Sequence, residues 1–446
     1  MKKLIVFSCF AILTFAPGLL AAANAPTKTV FPNGLTLIHQ YEQNSEVVAL
    51  DLFVRAGAFR EDKNQAGIAN FIQQLLYKGT TTRSAKQIAL ESESLGASIN
   101  GSCDEDYALV STTVFKNYFA PLSDVFFDCV LNPAFPQEEV EKEQANILAA
   151  IRTREDSIFT VAFDLLHEQM YGEHPYHKPV IGYKKTVQNI TRNQIMEFYQ
   201  RYYRPENMIL VVVGNIDREN IIKQLEQYFP ALAEASLMLQ PLSAAPATPQ
   251  RFEIQELSNE TKFKQAYLML GYLVPSVASQ DYPVFKIIAT LLGGGMNSRL
   301  FVNLREKQGL AYELDSFYPS RAFTSTLCIY LGLNIFNMEQ AQESVMKEID
   351  RLKTVPVPAE ELDNIKTYLS GQYLLSHQTN QSIAFYLGFY ELLQKGYEYD
   401  SQYLADLKAV TANDIARVAK AYLNDNNLTK IQLIPPLDTY SGGTSD

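Results

Sequence analysis

Three side-chain amides share one face of a predicted helix in GIANFIQQLLYKGT, residues 67–80. They are Asn70, Gln73 and Gln74, which a helix brings together because they lie three and four residues apart. The opposite face is an apolar stripe of Ile68, Phe71, Ile72, Leu75 and Leu76. Two ligands four residues apart can hold a metal ion, but an amide is a weak ligand and glutamine cannot accept a proton at neutral pH. The segment therefore predicts a helix face that has the spacing of a metal site and lacks its chemistry.

A cation and a phenol form a second candidate pair in NLREKQGLAY, residues 303–312. The apolar spacing predicts a short helix that ends at Gly309 and is followed by a strand. Arg305 then lies near the end of the helix and Tyr312 at the start of the strand, so the two approach each other across the glycine. Both side chains are good donors to developing negative charge. The simpler alternative is that Arg305 complements the helix C-terminus and Tyr312 only packs.

The chain has two halves with the same order of predicted elements. Strand-like alternation opens each half and is followed by a helix, a later strand and a long amphipathic helix. A Pro-x-Glu-Glu helix start then comes at Pro136 and at Pro358. We therefore predict an internal duplication, with domains at 26–234 and 251–446 joined by an uncharged, Pro- and Ala-rich linker at 235–250.

The first residues have the pattern of a secretory signal peptide. Lys2 and Lys3 precede an apolar run and then small residues, and cleavage after Ala23 fits the small-x-small rule. We therefore expect residues 1–23 to be removed and the mature protein to be exported to a bacterial periplasm. No later segment approaches the ~20 apolar residues of a membrane span. The net charge of −11 and the lack of a basic tract argue against nucleic acid as a partner.

The cysteines and histidines leave two questions open. Cys103, Cys129 and Cys328 would remain after cleavage, and a disulfide between the first two is one interpretation. Buried apolar thiols are the simpler one. His174 and His177 in HPYH leave a second metal site open, although a surface loop with two solvated histidines explains them more simply.

Taken together, these segments resemble the M16 (pitrilysin/insulinase) metallopeptidase family, of the two-repeat bacterial and mitochondrial-processing type. The resemblance covers nearly the whole mature chain. It rests on 67-GIANFIQQLLYKGT-80, 95-LGASINGSCDEDYALV-110, 173-EHPYHKPVIG-182 and 291-LLGGGMNSRLFVNLREKQGLAYEL-314. It implies an α+β fold of two homologous domains, each a mostly antiparallel sheet with helices packed on one side.

The resemblance also identifies a missing motif. Family enzymes carry H-x-x-E-H on the first helix, where two histidines bind zinc and the glutamate deprotonates water. This chain has Asn70, Gln73 and Gln74 at those positions. The third ligand, a glutamate on a later helix, falls by spacing at Ala150. We therefore expect no zinc, and no peptidase activity, from this chain alone.

In family enzymes an arginine and a tyrosine seven residues apart reach the zinc site and hydrogen-bond the substrate carbonyl. Arg305 and Tyr312 match that pair in type and spacing. The resemblance thus implies the non-catalytic subunit of a periplasmic heterodimeric zinc endopeptidase, which supplies this pair to a zinc-bearing partner that carries H-x-x-E-H. Its substrates would be peptides or unfolded polypeptides. The alternatives are an inert binding or scaffold protein, a stand-alone peptidase with an unrecognised metal site, and, for the chain alone, a homodimer without a zinc site.

Overall fold

The computed structural model describes residues 25–229, 232 and 263–436. Its first sheet contains β1 (Thr27–Val30), β2 (Thr36–Tyr41), β3 (Val47–Val54), β4 (Ile99–Cys103), β5 (Ala108–Phe115) and β6 (Met208–Gly214). Their order is β1-β2-β6-β3-β5-β4, and every neighbouring pair is antiparallel except β2 with β6. The inner strand β3 reads VVALDLFV and is buried from Val48 onward. Both faces of the sheet therefore have to be covered.

Most helices of the first half pack on one face of this sheet. The helices of the first half are, in chain order, α1 (Ile68–Leu75), α2 (Ala85–Ser94), α3 (Phe119–Leu131), α4 (Gln137–Arg154), α5 (Ile158–Tyr171), α6 (Lys184–Asn189), α7 (Arg192–Tyr202) and α8 (Arg218–Tyr228). The apolar stripe of α1 is buried against the sheet, as predicted, with Phe71 and Leu75 in one core with Leu50 and Val110.

The second half is built around a four-stranded antiparallel sheet. Its strands are β7 (Ala266–Val274), β8 (Ala311–Phe317), β9 (Ser325–Leu333) and β10 (Leu428–Leu433), in the order β10-β7-β9-β8. Its helices are α9 (Tyr282–Leu292), a π-helical segment (Phe301–Lys307), α10 (Met338–Thr354), α11 (Ala359–Ser376), α12 (Asn380–Leu392), α13 (Tyr399–Ala409) and α14 (Ala412–Tyr422).

The two halves exchange one helix each. Helix α5 of the first half packs on the second sheet, where Leu166 and Met170 share a core with Tyr267 and Ile431. Helix α12 of the second half packs on β3 and β6 of the first sheet. Each sheet is therefore covered on one face by its own helices and on the other by a helix from the opposite half. The α+β class is confirmed, and the structure adds this second helical layer.

The predicted duplication is visible in the sheets and helices. The order β10-β7-β9-β8 repeats β6-β3-β5-β4, strand for strand. The long helices α4 and α11 begin directly after Pro136 and Pro358, as predicted, with two glutamates in the first turn of each. Corresponding helices in the two halves are thus α1 and α9, α4 and α11, and α5 and α12.

Several predictions concern thiols and chain segments. Cys103, Cys129 and Cys328 are free, so the Cys103–Cys129 disulfide is not formed. The interpretation as buried apolar thiols is confirmed for Cys129 and Cys328, whereas Cys103 is half-buried. The predicted signal peptide 1–23 and linker 235–250 lie outside the described residues. Among the helices that the structure describes, none combines the length and apolarity that crossing a bilayer would need.

Candidate functional site

Helix α1 begins at a left-handed glycine and a buried carboxylate. Gly67 has φ +97°, and a Cβ there would meet the Ile181 carbonyl oxygen at 2.6 Å. The Glu61 carboxylate accepts hydrogen bonds from the N–H groups of Gly67 at 3.0 Å and Ala69 at 2.9 Å. These bonds satisfy two donors at the positive end of the helix and so fix where α1 starts. Burial raises the pKa of Glu61 to about 7, and the nearby Lys178 ammonium opposes that rise.

The three amides of α1 have different surroundings. Gln73 is fully buried, its Nε2 donates to the Tyr203 hydroxyl, and its Oε1 has no partner among the described residues. Gln74 is half-buried and accepts a hydrogen bond from the Tyr77 hydroxyl at 3.2 Å. Asn70 is half-buried and lines a cavity. The predicted polar face is therefore divided, since one of its amides belongs to the core.

The fourth position of the missing motif lies on α4. Ala150 is exposed, and Arg154, one turn further along, lines the same cavity as Asn70. Three amides and a methyl group supply neither a strong ligand nor a base. In residues 25–229, 232 and 263–436, no group of three or more His, Cys, Asp or Glu side chains is placed to hold a metal ion. The side chains at these positions do not fit zinc.

The cavity beside Asn70 has a volume of about 360 Å³. We name it the α5 cavity, because α5 supplies much of its wall, and its lining includes Phe159, Phe163, Asp164, His167 and Ile181. These α5 residues were not predicted from the sequence to belong to a site. The signal that was available is an aspartate and a histidine three residues apart in the otherwise apolar stretch IFTVAFDLLH.

The HPYH segment is a short 3-10 turn, Pro175–His177, that follows α5. His174 is buried, and its Nδ1 accepts a hydrogen bond from the Tyr176 N–H at 3.1 Å. Burial lowers the pKa of His174 to about 4. Nδ1 of His177 lies 2.8 Å from the His174 carbonyl oxygen. The interpretation as a surface loop with two solvated histidines is therefore wrong for His174, which packs as a neutral ring.

The segment that carries Arg305 is a π-helix. It spans Phe301–Lys307, and the Leu310 N–H bonds to the Leu304 carbonyl at 2.8 Å around Gly309, whose φ is +62°. The predicted helix end at Gly309 is confirmed, because this left-handed turn suits a residue without Cβ. In the π form each backbone hydrogen bond spans one more residue than in an α-helix, which apolar spacing in the sequence does not reveal.

Arg305 and Tyr312 are both open to solvent. Arg305 is exposed, and its guanidinium carbon lies 5.0 Å from the centroid of the Phe301 ring. Tyr312 is 61% exposed and falls where the register of β8 against β9 shifts between Ala311 and Glu313. Such a bulge re-aims a side chain out of the regular alternation of the strand. Neither side chain forms a hydrogen bond with another described residue, so both keep their donors available.

A buried ion cluster joins the two halves. Arg321, in the β8–β9 loop, donates to Asp104 at 2.7 Å and to Glu105 at 2.5 Å, both in the β4–β5 loop. Asp106, beside them, accepts a hydrogen bond from the Ala322 N–H at 2.9 Å. Burial raises the pKa of Glu105, against the attraction of the Arg321 charge. We name Arg321 and the three acidic residues the Arg321 cluster, and the sequence alone did not predict it.

A second cavity, of about 490 Å³, lies between α9, α11 and α12. We name it the tyrosine cavity, because its wall includes Tyr282, Tyr373, Tyr386, Tyr390 and Tyr403. Nζ of Lys286 donates to the Tyr318 carbonyl at 3.0 Å and lies 5.3 Å from the centroid of the Tyr282 ring. Arg321 and Asp104 line this cavity, whereas Glu105 lines the α5 cavity. The Arg321 cluster is thus a wall that the two cavities share.

Fold, duplication and site together define a two-domain protein of the metallopeptidase type whose metal positions carry no metal ligands. Residues 36–184 match the family model described as Insulinase (Peptidase family M16), and residues 189–369 match Peptidase M16 inactive domain. The chain belongs to the M16 peptidase family. Since the residues at the zinc positions cannot serve there, it is a non-catalytic M16-like protein.

The chain is similar to several relatives and solved structures over most of its length. An uncharacterized zinc protease of Bacillus subtilis, YmxG, is 26% identical over 397 residues, which are 88% of this chain and 95% of that protein. An uncharacterized zinc protease of Rickettsia bellii is 28% identical over 348 residues, 78% and 82% of the two chains. A protease from Helicobacter pylori has the same fold, with a TM-score of 0.84 at 22% identity over 93% of this chain and 100% of that one. A peptidase M16 inactive domain from Pseudomonas fluorescens also has this fold, with a TM-score of 0.84 at 22% identity over 92% of this chain and 98% of that one.

Proposed function

We propose that this chain is the activity-completing subunit of a periplasmic M16 heterodimer. Its partner would be an M16 subunit with an intact H-x-x-E-H helix and the zinc, and its substrates peptides or unfolded polypeptides. The observation that supports this most directly is an asymmetry within the chain. The metal positions offer amides and a methyl group, whereas Arg305 and Tyr312 are exposed and have unused donors.

The chemistry of the pair suits a carbonyl oxygen that gains negative charge. The guanidinium brings a delocalised positive charge and several N–H donors in a fixed plane, and the phenol adds a directional O–H donor. Phe301 lies under the guanidinium and limits its freedom, and the bulge at Tyr312 directs the phenol away from the sheet. Donors fixed before the reaction lower the barrier because they need not reorganise as charge develops.

The second candidate is a binding or scaffold protein with no peptidase partner. It is favoured by Gln73, whose amide is fully buried and bonded to Tyr203. A residue that serves the core at a former catalytic position fits a protein that has no further use for the site. In that case Arg305 and Tyr312 would be ordinary surface residues.

The test begins with the partner. Affinity purification of the tagged mature chain from its native host, followed by mass spectrometry, should recover an M16 subunit that contains H-x-x-E-H in a one-to-one complex. Recovery of the chain without such a subunit would favour the binding or scaffold protein.

The reconstituted pair then tests the role of the donors. Arg305→Ala should lower kcat by about 10²–10³-fold, the usual loss for one oxyanion donor, and Tyr312→Phe should also lower kcat without breaking the complex. Lys307→Ala is the matched control, because Lys307 is an exposed cation in the same π-helical segment. An unchanged kcat for Arg305→Ala, with the complex intact, would refute the proposed role.

A further inference from the structure

The α5 cavity contains a buried acceptor without a partner. His167 is 6% exposed, and its Nε2 has no hydrogen-bond partner among the described residues. The backbone of Tyr176 raises the pKa of the ring, as a carbonyl acceptor does, and this interaction falls to Nδ1 because Nε2 has no partner among the described residues. A ring nitrogen that bonds a carbonyl oxygen has to carry the proton, so Nδ1 is the donor and Nε2 presents a lone pair. The ring is held neutral, since burial strongly lowers the pKa of His167.

The walls around this acceptor are flat and apolar on one side. The rings of Phe159 and Phe163 are nearly parallel, with an interplanar angle of 11° and centroids 5.7 Å apart. The Phe163 ring lies 4.0 Å from that of His167, and Val180 and Ile181 continue the apolar surface. A planar aromatic group is the shape that such walls favour.

The charged groups of the cavity are already paired. Arg154 donates to Asp164 through Nε at 3.3 Å and through a second nitrogen, and Glu105 belongs to the Arg321 cluster. Lys178 donates to the Glu61 carbonyl at 2.7 Å. Among the buried polar atoms of the described lining, the one left without a partner is therefore Nε2 of His167, a neutral acceptor, which requires a donor rather than an ion. One water occupies about 30 Å³, far less than the cavity of about 360 Å³.

From this geometry we infer that the α5 cavity binds a planar aromatic group with a single hydrogen-bond donor, a phenol or an indole, whose O–H or N–H bonds Nε2 of His167. The ring packs against Phe163, and the half-buried amide of Asn70 borders the same space. The same chemistry is offered by a free small molecule and by a tyrosine or tryptophan side chain. The site requires no partner subunit, so this inference can be tested independently of the proposed heterodimer.

The test compares p-cresol with toluene, which has the same ring and methyl group but no donor. On the purified full chain, NMR titration should give a Kd for p-cresol at least about tenfold lower than for toluene, because a buried acceptor discriminates against a ligand that leaves it unpaired. His167→Phe should abolish this preference, and His167→Gln, which keeps an acceptor, should retain part of it. His377→Phe is the matched control, since His377 lies outside the cavity and pairs with Asp400.

Three results would overturn the inference. They are equal binding of p-cresol and toluene, no binding of p-cresol at millimolar concentration, and an unchanged preference in His167→Phe that thermal unfolding shows to be folded. If p-cresol binds as expected, N-acetyltyrosinamide distinguishes the two sources. Competition by this compound supports a peptide side chain as the ligand, and its exclusion supports a free phenol.

Discussion

The α5 cavity and the tyrosine cavity occupy corresponding places in a duplicated fold, but their walls differ. One lies between α1, α4 and α5, and the other between α9, α11 and α12. In the first, His167 presents a nitrogen without a partner. In the second, tyrosines fill the wall and Lys286 is held by the Tyr318 carbonyl. The fold therefore forms a cavity in both halves, and individual side chains decide whether a polar group without a hydrogen-bond partner remains in it.

The presence of a cavity in this fold is therefore weak evidence for catalysis. Within the described residues neither cavity has a group of three or more His, Cys, Asp or Glu side chains placed to hold a metal ion, although only the first adjoins the positions that bind zinc in family enzymes. The groups that point to function are those with unused hydrogen-bonding capacity. Those that the two proposals use are the exposed donors of Arg305 and Tyr312 and the buried acceptor of His167.

The largest effect is expected where the two cavities meet. Arg321→Ala would leave Asp104, Glu105 and Asp106 at the interface of the halves without their cation, and the side chains of Arg321 and Glu105 are only 10% and 11% exposed. Removing one partner of a buried ion pair costs about 3–5 kcal/mol. We expect a loss of that order in the free energy of unfolding, measured in urea at pH 7.5.

The control for this variant is Arg417→Ala. Arg417 forms an ion pair with Asp281 at 2.7 Å but is 55% exposed, so its loss should cost less than about 1 kcal/mol. A similar, small effect of both variants would show that the Arg321 cluster does not hold the two cavities together. The α5 cavity and the tyrosine cavity would then be structurally independent of each other.

Features of the fold that depend on local contacts could be predicted from the sequence, whereas a contact between distant residues could not. The duplication, the start of α4 after Pro136 and the left-handed turn at Gly309 depend on neighbouring residues, and the structure confirms them. The Arg321 cluster joins residues 216 positions apart. A run of acidic residues between two strands indicates solvent exposure unless its distant cation is known, so this contact was missed.

The candidate site was predictable to a similar extent. The sequence identifies α1 and its amides, but not that Gln73 lies inside. Gln73 is buried because strand β4 lies against α1. A Cβ at Gly101 would meet the Gln73 carbonyl oxygen at 2.4 Å, so helix and strand approach too closely for solvent to enter. Likewise, the apolar faces of α5 and α12 indicate that each helix is buried, but not that each covers the sheet of the other half.

The exchanged helices offer a second, smaller test of the comparison. Helix α12 meets the first sheet at a buried carboxylate, since Asp51 is 0% exposed and its Oδ1 accepts from Gln381 at 2.6 Å, while its Oδ2 has no partner among the described residues. Helix α5 meets the second sheet at Gly271, where Leu166 and Met170 fill the space. Only the first contact should therefore respond to pH.

Asp51→Asn tests this response. Burial raises the pKa of Asp51 to about 7, although the bond from Gln381 lowers it. The folded protein therefore keeps a proton that the unfolded chain has lost, and stability falls as pH rises from about 4 to about 7. Asparagine keeps the acceptor without the charge, so the variant should be more stable at pH 8 by on the order of 2–4 kcal/mol.

Urea unfolding of both proteins between pH 4 and pH 8 measures this difference. The difference should become small near pH 4, because the Asp51 carboxyl of the unfolded chain also takes up its proton as the pH approaches its ordinary pKa. The other buried carboxyls contribute equally to both proteins. A variant that is less stable than the wild type at pH 8, or a difference that does not change with pH, would contradict the assignment.

The smallest effect concerns the cation of the tyrosine cavity. Lys286→Met keeps the apolar stem but removes the hydrogen bond to the Tyr318 carbonyl and the contact of the ammonium with the Tyr282 ring. One hydrogen bond and two partly exposed cation–π contacts, with the rings of Tyr282 and Tyr318, are together worth about 1–2 kcal/mol. We therefore expect a loss of that size in urea unfolding, against no more than about 0.5 kcal/mol for Lys347→Met on the exposed face of α10. If Lys286→Met were as stable as the control, the ammonium would be free to serve a ligand, and the tyrosine cavity, like the α5 cavity, would contain an open polar group.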